Sequence, residues 1–273
     1  MIPDLRPFLE EDVGAGDITA SVFLPETDGR AVIICESRSS VAGLEEAAGI
    51  FSLVGVHAHQ YVQDGDVLDA GTTVMEINGP LRGLMTAERT ALNFLMRMSG
   101  IADLTRRTVE SIKGCSPPAF IAATRKTTPG FRFFEKKAVS LGGGITHRNG
   151  LYDMVMVKDN HLRACGGIEN AVHLFKNVPE GIKIEVEVEN MDQGIVAAKG
   201  GADVIMADHM SPADTKKMRD VLKKIRPNVL IEASGNITHD TAVRFAGCAD
   251  IISLGELTHS VRATHFSMDI VSL

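Results

Sequence analysis

Short apolar runs punctuate the second half of the chain at 119–123, 154–157, 182–188, 204–206, 229–233 and 251–254. Between them lie stretches long enough for a helix. This spacing predicts repeated strand–helix units, and runs apolar on both sides predict a parallel sheet covered by helices. The first hundred residues read differently. Strands are expected at 31–35 and 74–77, with turn signals at Asp64-Gly65-Asp66 and Asn78-Gly79-Pro80, and Asp17-Ile18-Thr19 opens an element. A helix is predicted from Thr86, a good N-cap. It packs Leu92, Leu95, Met96 and Ser99 on one side and carries Arg89, Asn93 and Arg97 on another. Lys113-Gly114 and Pro117-Pro118 then interrupt the pattern, so a domain 1–113 is expected before a domain 114–273, with the last few residues returning to the first.

What stands at the ends of the later runs changes the picture. In order they are Thr124-Arg125-Lys126, Lys158-Asp159-Asn160-His161, Glu187, Asp208, Ser234-Gly235 and Gly255-Glu256. An open doubly wound sheet gathers ligands at one switch point, whereas a closed barrel brings every C-terminal strand end to one mouth. Charged or glycine residues at six ends predict an α/β barrel.

Composition narrows the function classes. The 273 residues are 44% hydrophobic and 23% charged, which predicts a globular core. No apolar run is long enough to span a membrane, and Asp4, Arg6, Glu10 and Glu11 break up the start, so neither membrane insertion nor secretion is expected. Cys35, Cys115, Cys165 and Cys248 are far apart with no zinc spacing, as free thiols of a cytoplasmic protein would be. A net charge of −7, no Trp and two Tyr disfavour nucleic acid. Yet eight Lys and Arg face three carboxylates between Thr124 and Arg163, which predicts a small polyanion as ligand. The bland alternative is a set of solvated helix faces.

Particular residues fit such a ligand. Ser234-Gly235-Asn236-Ile237-Thr238 and Gly255 read as a phosphate cradle, in which glycine lets backbone N–H groups approach and a following helix adds its positive end. Gly142-Gly143-Gly144 reads as a close-approach loop or, more simply, as a helix C-cap and turn. Arg125, Lys126, His147, Arg148 and Lys158 are placed to grip carboxylates or phosphates. Glu187 and Asp208, at neighbouring strand ends, could hold Mg²⁺ or ribose hydroxyls, or merely pair with lysines. Glu185 and Glu189 share the face of Glu187, as a second carboxylate or a solvated rim.

Long motifs in this order carry a resemblance: Ala-Thr-Arg-Lys-Thr-Thr-Pro-Gly-Phe-Arg at 123–132, Gly-Gly-Gly at 142–144, His147-Arg148, Gly150-Leu151-Tyr152-Asp153 and Lys158-Asp159-Asn160-His161. With Gly16-Asp17-Ile18-Thr19, 87–95, Glu185-Val186-Glu187, Ala207-Asp208, Glu232-Ala233-Ser234-Gly235 and Leu257-Thr258-His259-Ser260, nearly the whole chain resembles quinolinate phosphoribosyltransferase, the carboxylating nicotinate-nucleotide pyrophosphorylase family. The resemblance implies an N-terminal α/β sandwich domain and an incomplete, seven-stranded α/β barrel. It implies a homodimer, or a higher oligomer, in which Arg89 reaches the neighbouring active site. Arg89, Arg125, His147, Arg148 and Lys158 match quinolinate-binding positions. Lys126, Glu187 and Asp208 match the catalytic groups around phosphoribosyl pyrophosphate and Mg²⁺, with the two carboxylates as metal ligands. Ser234, Gly235, Gly255 and His259 match the 5′-phosphate site. Ala123, Thr146, His209 and Asn236 depart from the family pattern, and Asn236 stands where a second glycine is usual.

The expected reaction transfers phosphoribosyl to quinolinate with loss of CO₂, giving nicotinate mononucleotide on the route to NAD. The rivals are a paralogue with another substrate, a Schiff-base barrel lyase using Lys126 or Lys158, and a non-catalytic binder of phosphorylated ligands.

Overall fold

The structure, a computed structural model, describes residues 2–272. Its contacts form two compact units. One takes the chain up to Arg106, then Phe133–Gly142 and the residues from Val261 onward; the other takes Arg107–Arg132 and Gly143–Ser260. The division falls at 106/107, not at 113/114, and 133–142 goes back to the first unit.

The first unit begins with β1 (Asp28–Cys35), β2 (Ser39–Ser40), β3 (His57–Gln60), β4 (Val67–Leu68) and β5 (Thr72–Pro80). Along β1 the alternation is plain: Ala31, Ile33 and Cys35 are fully buried while Asp28 and Arg30 are exposed. The helix Leu44–Ser52 supplies Leu44, Ala47, Ile50 and Phe51 to the buried core of this unit.

The long helix runs Leu81–Ser111, starting directly after β5 and not at Thr86. Leu81 and Leu84 are buried in step with Ala87, Ala91, Leu95 and Met98, so apolar burial extends the helix one turn and more upstream. Gly83 lies within that turn because a Cβ there would come within 2.9 Å of the Val54 carbonyl. Thr86 instead donates from its hydroxyl to Asp17 (3.1 Å), and Asp17 caps the helix Ile18–Phe23 by accepting from the Ala20 N–H.

The segment Phe133–Gly142 joins this unit for visible reasons. Phe134 stacks edge-on against Phe8 and Phe94, with ring centroids 5.6 and 4.9 Å apart. Arg97 donates to the buried Glu135 at 2.7 Å, and Lys137 donates to Glu46 at 2.7 Å. Gly142 ends the segment. A Cβ there would lie 2.4 Å from the Ala102 carbonyl oxygen, so two helices approach through a residue with no side chain.

The second unit holds β6 (Phe120–Ala122), β7 (Val155–Val157), β8 (Ile184–Val188), β9 (Val204–Asp208), β10 (Leu230–Ser234) and β11 (Ile251–Ser253). All pair in parallel, in the order β6-β11-β10-β9-β8-β7. The first strand therefore pairs with the last, which a curled sheet permits and an open sequential one does not. On the other edge of β6 the seventh position is a single residue, Ile145, bridged to Ala122. The barrel is accordingly incomplete. The last strand, β12 (Phe266–Ser272), belongs to the first unit and pairs antiparallel with β1, giving the sheet β12-β1-β5-β3.

The barrel strands are not apolar on both faces throughout. Val186, Val188, Ile205, Ala207 and Ile231 form one buried cluster with the helix residues Ala171, Ala197, Met218 and Leu222. The alternate positions change along each strand. Val204, Leu230 and Ile251 line an apolar floor, and Met206, Asp208, Glu232, Ser234 and Ser253 line the space above it. Polarity thus rises toward the C-terminal ends. No helix among the described residues is long and apolar enough to cross a membrane.

Candidate active site

A cavity of about 320 Å³ opens among the C-terminal strand ends of the barrel unit. Arg125 and Lys126 follow β6, His147 and Arg148 follow Ile145, and Lys158 follows β7. Glu187 comes from β8, Asp208 from β9, Glu232 and Ser234 from β10, with Gly235 and Asn236 beyond. An adjoining cavity of about 250 Å³ shares Thr124, Lys126, Ser234, Gly235 and Asn236, and adds Thr238, Gly255 and His259. Arg89 lies on the long helix, within the first unit, with its side chain exposed.

The backbone marks the same place. Among the described residues the non-glycine positions with left-handed φ are His147 (54°), His209 (54°) and Asn236 (53°), and all three line the larger cavity. Strain of this kind persists where surrounding structure over-determines it, characteristically at functional sites. Gly235, at φ 98°, has the His209 ring packed over it: a Cβ would stand 2.6 Å from that ring. The cradle differs from expectation in one respect. The helix after it, His239–Ala242, is four residues long and its His239 N–H already donates to Glu256, so little helix dipole is left for a phosphate.

Charge is unevenly satisfied. The Arg125 Nε is buried without a hydrogen-bond partner. Burial and the neighbouring Arg125 push the Arg148 guanidinium below its ordinary pKa. The two guanidinium groups thus stand near each other at the cavity, an arrangement that favours an incoming anion. Lys158 donates to Glu187 at 3.0 Å, and Asp208 pairs with His209 at 2.8 Å. The backbone of Lys126 is fixed from both sides. Its N–H donates to the Thr124 hydroxyl, and its carbonyl accepts from Thr258.

Below these groups lies a trio. His147 Nε2 is 2.8 Å from Glu232 and 3.2 Å from Glu185, and both carboxylates are essentially inaccessible. Glu185 is therefore neither rim nor solvated, whereas Glu189 is exposed. Burial and the charge of Glu232 raise the Glu185 pKa to about 7. Burial opposes charge on His147, but Glu185 and Glu232 together carry its pKa up to about 10. The three donor groups lie within 4.8 Å of one another, with His147 and Glu232 in direct contact. Glu232 was not among the expected site residues. Its signal was a carboxylate two positions before Ser234, on the same strand face.

Models of the quinolinate phosphoribosyl transferase N-terminal and C-terminal domains match residues 17–99 and 101–269. The chain belongs to this family. A probable nicotinate-nucleotide pyrophosphorylase [carboxylating] of Bacillus subtilis is 42% identical over 97% of this chain and 92% of its own. One from Archaeoglobus fulgidus is 39% identical over 94% and 98%. The crystal structure of NadC from Streptococcus pyogenes aligns with a TM-score of 0.91 at 36% identity, covering 98% of this chain and 95% of that one. Two of the expected departures, His209 and Asn236, fall on left-handed backbone, where glycine is conformationally easiest.

Proposed function

We propose that this phosphoribosyltransferase joins quinolinate to phosphoribosyl pyrophosphate with decarboxylation, giving nicotinate mononucleotide, pyrophosphate and CO₂ for NAD biosynthesis. The observation that carries the site assignment is the pair of adjoining cavities linked by Lys126, one crowded with Arg125, Arg148, His147 and Lys158, the other lined by Ser234, Gly235 and Gly255. The first suits a pyridine dicarboxylate, the second a sugar phosphate.

Arg125, His147 and Arg148 hold the two carboxylates and turn the ring nitrogen toward C1 of the ribose. Orienting two bound reactants supplies up to about 7–11 kcal/mol. The nitrogen–carbon bond forms as the bond from C1 to pyrophosphate breaks. Glu187 and Asp208 stand where positive charge develops on the sugar. Lys126 offsets negative charge on the departing pyrophosphate. The pyridinium then accepts the electron pair left at the ring carbon when the adjacent carboxylate departs as CO₂, and that carbon takes up a proton.

Two carboxylates at neighbouring strand ends, beside a phosphate-sized cavity, fit Mg²⁺, which keeps few protein ligands and fills its shell with phosphate oxygens and water. Glu187 and Asp208 would hold it, and it would lend charge stabilisation to the pyrophosphate. We also assign the chain a homodimer in which Arg89 serves the partner's site, because the cavity is lined wholly from the barrel unit while Arg89 belongs to the other.

The decisive assay supplies quinolinate, phosphoribosyl pyrophosphate and Mg²⁺ and detects nicotinate mononucleotide with stoichiometric CO₂. Nicotinate should be a poor substrate, because a buried arginine left without its acceptor costs about 1–3 kcal/mol. Equal kcat/KM for the two acids would sink the assignment.

A further inference from the structure

Of the trio at the cavity wall, His147 enters the steps above and the two carboxylates behind its ring nitrogen do not. Three titratable side chains sit together in the barrel interior, two of them carboxylates with exposures of 0% and 1%. Neither oxygen of Glu185 accepts a hydrogen bond. Such an arrangement is costly: an apolar filling of the same volume is commonly as stable or more so. Stability alone therefore does not account for it.

The geometry supplies a use. His147 Nε2 has one N–H, and it is committed to Glu232 at 2.8 Å. Glu185 places a second carboxylate 3.2 Å from the same nitrogen. The ring's other nitrogen, Nδ1, has no protein partner among the described residues, and His147 lines the cavity with Arg148 and Arg125. The left-handed backbone at His147 fixes where its ring can go. Without the carboxylates, a buried imidazole beside two guanidinium groups would be neutral and free to present Nδ1 as an acceptor, which repels a carboxylate.

We propose that Glu185 and Glu232 are positioning residues that hold His147 as a cation, with its Nδ1–H directed at a carboxylate of the pyridine dicarboxylate. The role rests on the assignment of that substrate to the larger cavity. It makes the trio a specificity device: the acids act through His147, although Glu232 also lines the cavity, and their effect is on recognition of the dianion. The charged and titratable groups lining the cavity with His147 are Arg125, Lys126, Arg148, Lys158, Glu187, Asp208, His209 and Glu232, so a change in the state of His147 must be read at His147 itself.

The test has two arms. In the first, wild-type protein labelled with ¹⁵N-histidine is observed at pH 8 without substrate. His147, assigned by loss of its signal in His147→Gln, should show the shifts of a doubly protonated ring; a neutral ring overturns the proposal. In the second, Glu185→Gln and Glu232→Gln are assayed beside wild type. The KM for quinolinate should rise about tenfold or more, as for loss of a charge-assisted hydrogen bond. The KM for phosphoribosyl pyrophosphate should stay within about twofold, and Glu232→Asp should recover part of the loss. Equal rises in both KM values, or none, overturn it. If either Gln variant fails to fold, the wild-type arm still decides. Wild type that does not turn over quinolinate refutes the substrate assignment, and the histidine signal separates that outcome from this one.

Discussion

Glu187 and Asp208 show how a carboxylate's partners betray its use. Each contacts one nearby side chain, Lys158 or His209, yet each keeps 12% or 29% of its side chain open at the cavity. Neither is needed to fill the core. Glu187→Ala and Asp208→Ala should therefore lower kcat/KM by about a hundredfold or more, the scale of losing one charge-stabilising group, while thermal melts stay close to wild type. An active variant, or one that is inactive only because it has melted, would count against their role. His147 makes a different prediction. Its folded pKa of about 10 lies above the ordinary 6.5, so the folded state binds the extra proton between those values. The stability it contributes is complete below about pH 6.5 and is lost as pH rises through about 10. Glu185, with a folded value of about 7 above the usual 4.5, slopes the same way at lower pH. The difference in unfolding free energy between wild type and His147→Gln should therefore shrink between pH 6 and pH 10 in urea titrations. A difference that grows with pH would show that the ring is buried neutral.

At the scale of elements, the barrel was largely legible because each strand is an apolar run ending in chemistry. The runs at 182–188, 204–206 and 229–233 became β8, β9 and β10, and their terminal Glu187, Asp208 and Ser234 reached one cavity. Parallel pairing does not depend on the details of the turns, so periodicity sufficed. Three features lay beyond it. The long helix starts at Leu81, because Leu81 and Leu84 gain burial from tertiary packing that overrides the signal of a cap at Thr86. The seventh strand shrinks to Ile145, a single bridge that no run length could reveal. Alternation left Glu185 as either a second carboxylate or a solvated rim, and only closure of the sheet makes its face an interior. Gly142 belongs to this scale too. The plainer reading of the glycine run, a helix end, accounts for it, and the reason is contact: a Cβ would strike the Ala102 carbonyl and Thr105. Gly142→Val should destabilise by about 1–3 kcal/mol through overpacking, read as a lower urea midpoint. Because Gly142 lines neither cavity, activity per folded molecule should survive, and a stable but inactive variant would contradict this account.

At the scale of the whole molecule, Arg89 is the residue that a single chain leaves unexplained. The resemblance leads one to expect it at quinolinate, yet it is exposed on the helix of one unit, with Glu88 at 4.0 Å as its sole ionic neighbour among the described residues, while the cavity is built by the other unit. A twofold dimer would resolve this, because each of two equivalent sites can take Arg89 from the partner and Lys158 from its own chain. Arg89→Ala and Lys158→Ala should then each be nearly inactive alone. In a heterodimer of the two, both lesions fall in one site and the other is intact. After random exchange of equal amounts, half the dimers are mixed and each carries one working site of two, so about a quarter of wild-type activity should return. Native mass spectrometry of mass-tagged chains would establish that exchange has occurred. Mixed dimers without recovered activity would show that Arg89 serves its own chain or only its surface, and the shared-site arrangement would have to be abandoned.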